Sequence, residues 1–117
     1  MSAEEAADQL FSRIAERLKA LSDPTRLKIL HSLEEGELCV GEVLARVGGS
    51  QANVSKHLAL LRRSGVVASR REGTNVYYRV VDPAAFEICR TVCFAIERRA
   101  EEDREVVRLG QEANRRR

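Results

Sequence analysis

Cysteine is scarce in this sequence: Cys39, Cys89 and Cys93 are the only three in 117 residues. They are too few, and odd in number, for a disulfide framework. No apolar run approaches the roughly 20 residues that cross a bilayer. The opening stretch MSAEEAADQLF is acidic, where a signal peptide would be basic. These absences lead us to expect a soluble cytoplasmic protein with reduced thiols and no membrane partner. No Cys-x-x-Cys pair, phosphate-binding loop or nucleophile–base spacing occurs, so the chain does not read as an enzyme. Internal repeats, low-complexity tracts and linkers are also missing. With 44% apolar and 32% charged residues, the chain reads as one globular domain over 1–113, followed by a fraying basic tail over 114–117.

Charge is present in both signs but unevenly placed. Residues 1–45 hold five basic and nine acidic side chains, and residues 80–117 hold eight of each. Residues 46–79 hold seven basic side chains (Arg46, Lys56, Arg62, Arg63, Arg70, Arg71, Arg79) against Glu72 alone, a net of +6. Positive charge gathered in the middle third points to an anionic partner that docks there.

Apolar periodicity then sets the elements. Ala7, Leu10, Ile14, Leu18 and Leu21 form a helical stripe over Glu4 to Leu21. Ser22-Asp23-Pro24 starts a second helix, expected to reach about Glu35 and to bury Leu27, Leu30 and Leu33 before Gly36 stops it. A short third helix follows from Val40 to Val47. After Gly48-Gly49, Ser50 caps a fourth helix to about Ser64, with Val54, Leu58 and Leu61 on one face and Ala52, Lys56, Ala59 and Arg63 on the other. Beyond Gly65 the period changes. Residues 66–71 and 76–81 read as two strands around a four-residue loop, Glu72-Gly73-Thr74-Asn75. Asp82-Pro83 opens a last helix with Phe86, Cys89, Val92, Cys93 and Ile96 along one side.

The expected fold is therefore mainly α with a small β-hairpin wing: four helices, two strands and a final helix. Two helices joined by a short glycine turn, the second exposing small and polar residues and followed by a hairpin, make a winged helix-turn-helix. The exposed face of the fourth helix suits the major groove of double-stranded DNA. Ser50, Gln51, Asn53, Ser55, Lys56 and His57 are its candidate contacts, and Arg62, Arg70, Arg71 and Tyr77 are candidates for the backbone or the minor groove. Apolar stripes on both terminal helices are more than one small core can cover. Leu10, Ile14, Leu18, Phe86, Val92 and Ile96 are thus the candidate interface of a homodimer, which would set two reading heads about one DNA turn apart.

Four segments, LSDPTRLKIL at 21–30, GELCV at 36–40, SQANVSKHL at 50–58 and LRRSGVV at 61–67 with the wing after it, resemble the ArsR/SmtB family of transcriptional repressors. The resemblance spans about residue 10 to 100. It implies a homodimeric repressor that binds a dyad-symmetric operator and leaves it when an inducer binds. The family's arsenic- and cadmium-type sensors often carry Cys-Val-Cys at the third helix. Here the sequence is Cys39-Val40-Gly41, so one ligand of that site is missing. Family zinc sensors use histidines on the last helix, but His31 and His57 both precede it.

The remaining thiols are Cys39 and the i, i+4 pair Cys89 and Cys93, whose Cβ atoms should lie about 5–6 Å apart. Thiolates select soft ions, and the resemblance suggests arsenite or cadmium as inducer. Oxidation of the thiols by a persulfide or peroxide is the alternative trigger. A helix N-terminus would favour a thiolate at Cys39, whereas Cys89 and Cys93 on an apolar stripe are also consistent with plain packing. No cofactor is expected to be needed for DNA binding itself.

Overall fold

Helix starts in this chain are fixed by side-chain caps. In the computed structural model, which describes residues 1–115, Ser2, Asp23 and Ser50 each accept a hydrogen bond from the backbone N–H three residues on. They open α1 (Ala3–Leu21), α2 (Pro24–Ser32) and α4 (Gln51–Arg63). Between the last two lie β1 (Leu38–Cys39) and α3 (Val40–Val47); β2 (Val67–Glu72), β3 (Asn75–Val80) and α5 (Ala84–Arg115) complete the chain. The three strands form one antiparallel sheet in the order β1-β3-β2. This is the mainly helical winged helix-turn-helix expected, with one additional strand. Strand β1 is two residues long, too short to show alternation in the sequence.

The core of the first 85 residues is aliphatic. Ile29, Leu30, Leu33, Val43, Val54, Leu58, Leu61, Val66 and Val67 are all buried. The expected stripe of α4 is confirmed, but that of α2 is not. Leu27 is 39% exposed and Ile29 takes its place. The inward direction of α2, set by Ile29, Leu30 and Leu33, lies about 110° around the helix from Leu27. Helix α2 also ends three residues early. The Ser32 hydroxyl donates to the Ile29 carbonyl at 2.6 Å and the Leu33 N–H is shared between two carbonyls, which tightens the chain into a turn before Gly36.

The wing turn is shorter than expected. Glu72 pairs with Asn75, so only Gly73 and Thr74 form the loop. Gly73 has φ +62° while no other residue type takes positive φ, the pattern of a type II′ hairpin turn.

The chain divides into two compact units, Met1–Ala85 and the stretch from Phe86 onward. The second unit is the body of α5, which continues through Asn114 and Arg115. Of the basic tail, Arg116 and Arg117 lie outside the described residues. Among the described residues, no helix is long and apolar enough to cross a membrane.

Candidate nucleic-acid interface

Helix α4 buries Val54, Leu58 and Leu61 completely. At 100° per residue this turns Lys56, Ala52 and Asn53 to solvent, and Gln51, about 60° from the Val54 direction, is exposed as the first residue of the helix. The Ser50 hydroxyl is occupied as the helix cap, accepting from the Asn53 backbone N–H at 3.1 Å. Ser55 is half-buried. The protruding group is therefore Gln51, Asn53 and Lys56, an amide pair and a cation of the kind that read base edges.

His57 belongs elsewhere. Its side chain is only 15% exposed, with Nε2 3.9 Å from Asp23 Oδ2. Its Nδ1 lies 3.3 Å from Arg26 Nη1. The imidazole faces the α1–α2 junction rather than solvent. The same helical geometry that exposes Lys56 puts His57 about 60° from the buried Val54 direction, so this placement was available from the sequence.

The cations of residues 46–79 separate into committed and free. Arg70 Nε donates to both carboxylate oxygens of Glu37 at 2.9 and 3.0 Å, and its Nη1 donates to Glu72 at 2.7 Å. Its guanidinium also lies 4.7 Å over the Tyr77 ring. The two carboxylates hold Arg70 more firmly protonated than an ordinary arginine, and Arg70 in turn holds the Glu37 carboxyl below its usual range. Neither Arg70 nor Tyr77 projects as a free contact, contrary to the sequence expectation. Arg46 donates to the Ser32 carbonyl at 3.3 Å, and Arg62 makes one long bond of 3.4 Å to Ser69 Oγ. Among the described residues Lys56, Arg63, Arg71 and Arg79 form no ion pair, and all are exposed. Positive charge therefore remains on α4 and on both wing strands.

Among the described residues no group of three or more His, Cys, Asp or Glu side chains is placed to hold an ion. Cys39 precedes α3, where its backbone N–H donates to the Glu42 carboxylate at 3.1 Å. That carboxylate is held below its ordinary range, chiefly by this bond. Glu42 thus closes a capping box over the start of α3. Cys89 is half-buried and Cys93 exposed, with the Cys93 thiol 3.9 Å from Glu97.

Each unit also carries an unsatisfied apolar face. On α1 these residues are Leu10, Phe11, Ile14 and Leu18; on α5 Val92 and Ile96 share one side of the helix and Phe94 lies nearly opposite them, with Val106, Val107 and Leu109 further along. Phe86 is half-buried. Phe11 and Phe94, each 69% exposed, were not among the expected interface residues: Phe11 sits at the edge of the α1 stripe, and Phe94 lies about 140° around the helix from the α5 stripe.

Residues 23–69, which run from the start of α2 into the wing, match the family model described as bacterial regulatory protein, arsR family. An HTH-type transcriptional regulator of Methanocaldococcus jannaschii is 40% identical over 83 residues, covering 70% of this chain and 93% of that protein. A cadmium resistance transcriptional regulatory protein CadC homolog of Staphylococcus aureus is 47% identical over 70 residues, covering 59% of this chain and 58% of that protein. The homodimeric winged helix-turn-helix DNA-binding domain from Mycobacterium bovis superposes with a TM-score of 0.71 at 31% identity, covering 87% of this chain and 93% of that one. The chain belongs to the ArsR/SmtB family of bacterial transcriptional regulators, which are DNA-binding proteins and not enzymes.

Proposed function

We propose that this protein is a repressor that binds a dyad-symmetric operator as a homodimer, reading bases with Gln51, Asn53 and Lys56 and holding phosphates with Arg62, Arg63, Arg71 and Arg79. The observation that carries this reading is the exposed face of α4, turned outward by the complete burial of Val54, Leu58 and Leu61. Cations without carboxylate partners flank that face, and they are what phosphate binding requires. Homodimerisation is supported by the exposed apolar residues of α1 and α5 and by the homodimeric relative. A two-fold contact covers such faces with a copy of themselves.

The inducer in this reading is a thiophile that acts on Cys89 and Cys93. Cys93 is exposed on the same helical face as its i+4 partner, and one curated relative is named for cadmium resistance. The pair offers two thiolates, one fewer than arsenite takes, so cadmium and arsenite are tested side by side. Oxidation by a persulfide or peroxide is the second reading. It is favoured by Cys39, which pairs in register with Tyr77 on the central strand of the wing sheet, so a change at that thiol reaches the wing directly.

Anisotropy on the best-bound duplex from an in vitro selection tests all of this. Nanomolar, salt-sensitive binding is expected. Loss with arsenite or cadmium in reducing buffer supports the ion. Loss only with polysulfide or peroxide, reversed by dithiothreitol, supports oxidation. A Cys89→Ser/Cys93→Ser variant that still responds removes the pair as sensor.

A further inference from the structure

The end of α1 is tied to the middle of α4 by one guanidinium. Arg26, in the first turn of α2, donates from Nε to the Ala20 carbonyl at 2.6 Å and from Nη2 to the Lys19 carbonyl at 3.1 Å. These are carbonyls of the last turn of α1, where that of Lys19 also accepts the Ser22 backbone N–H at 3.1 Å. The third nitrogen, Nη1, lies 3.3 Å from His57 Nδ1 on α4. Arginine has no acceptor, so in this contact His57 Nδ1 is the accepting atom, while Nε2 faces Asp23 Oδ2 at 3.9 Å. Asp23 in turn accepts the backbone N–H of Arg26 at 3.1 Å, which keeps its carboxyl below the usual range. Three helices thus meet in one polar junction.

Elsewhere the contacts of α4 with the core are aliphatic. Val54, Leu58 and Leu61 drive burial without strongly choosing an angle, because apolar attraction is non-directional. The arginine fork is directional, with its donors fixed in a plane. His57 is the neighbour of Lys56 and four residues from Asn53, so the rotation of His57 about the helix axis is also theirs.

We propose that Arg26 and His57 are a positioning pair: they fix the rotation of α4 relative to the end of α1, and so the presentation of Gln51, Asn53 and Lys56, without touching DNA. The proposal rests on the reading of α4 as the DNA-contacting helix. Since α1 also carries the exposed face of Leu10, Ile14 and Leu18, the pair lets whatever packs on α1 influence the reading head.

The test uses the full-length protein, its selected duplex and a random duplex of equal length, with melting temperatures recorded for every variant. Arg26→Gln and His57→Leu should each weaken the selected duplex about tenfold, a loss comparable to one base contact. The random duplex and the slope of log affinity against log salt should stay nearly unchanged. The double variant should be no worse than the poorer single, because both remove one interaction. His57→Gln, whose amide oxygen accepts from Arg26, should recover most of the affinity. Arg26→Lys should not, because an ammonium cannot span the three acceptors; these two variants answer the question even if Arg26→Gln fails to fold.

A merely structural role would lower melting temperatures and leave discrimination between the duplexes intact, which overturns the proposal. A salt slope lowered by about one unit would make His57 a phosphate contact, with the same consequence. Lys56→Ala separates the two levels. If it weakens binding while the pair's variants do not, only the positioning role falls; if it too has no effect, the reading of α4 falls and takes the pair with it.

Discussion

Arg70 and Glu37, 33 residues apart in sequence, form a forked ion pair that joins the wing to the segment leading into β1. Glu72 holds the same guanidinium from the other side, and Tyr77 packs beneath it. An arginine so engaged ties the hairpin to the segment before β1, and it must leave two carboxylates to reach a phosphate. Arg71, its neighbour on the strand, points to the opposite face and has no ion-pair partner among the described residues.

Adjacent arginines should therefore behave differently. Arg71→Gln is expected to lower the salt slope of DNA binding by about one unit, the signature of one released phosphate contact. Arg70→Gln should leave the slope nearly unchanged while loosening the wing, seen as faster amide exchange in β2 and β3. Salt titrations of both variants check this, and equal slope losses would return Arg70 to the DNA contacts.

The stability of the reading head should depend on α4's buried stripe. Leu58 is fully buried, so Leu58→Ala is expected to cost about 2–5 kcal/mol. Leu27→Ala, at a position read as core from sequence but exposed in the fold, should change stability by less than about 0.5 kcal/mol. Urea denaturation at one fixed protein concentration compares the two, since association contributes to apparent stability.

That contrast shows which parts of the fold were legible in sequence. The stripe of α4 repeats at i, i+4 and i+7, and burial follows it. In α2 several apolar residues compete for one inward direction, and Leu27 loses to Ile29 by its angle, which composition does not reveal. Strand β1 has too few residues to show a pattern. The charge excess of residues 46–79 was visible, but its largest correction was not: Glu37 lies outside that segment and reaches Arg70 only through the fold. His57 was read as a candidate DNA contact together with its neighbours on the helix, although its helical angle already turned it inward.

Acid should destabilise the protein through three carboxylates. Asp23 is held below its ordinary value of 3.8, chiefly by the Arg26 backbone N–H. Glu37 and Glu42 are held below 4.5, chiefly by Arg70 and by the Cys39 backbone N–H respectively. A carboxylate with a depressed folded value binds its proton more readily when unfolded, so its contribution is complete above the unfolded value and fades as pH falls through the folded one. Stability is thus expected to be insensitive to these groups above about pH 5 and to decline below about pH 4.5. Glu37→Gln/Glu42→Gln should flatten that decline, which thermal melts between pH 3 and 6, roughly the range where carboxylates titrate, can follow.

Gly73 makes the sharpest backbone prediction. Its φ of +62° is the first central position of the two-residue wing turn, and nothing lies within 4 Å of where a Cβ would stand. Any cost of a side chain there comes from the backbone alone. Gly73→Ala should destabilise the hairpin by about 1–3 kcal/mol, the cost of holding an L residue in a sparsely populated positive-φ region. Thr74→Ala, at the negative-φ position, should cost little. The losses should appear as faster amide exchange at Arg71 and Val76, which pair beside the turn, and as weaker DNA binding carried by Arg71. Equal effects for Gly73→Ala and Thr74→Ala would mean that the hairpin closes through a turn other than type II′, and would move the wing's basic side chains out of the register on which their assignment depends.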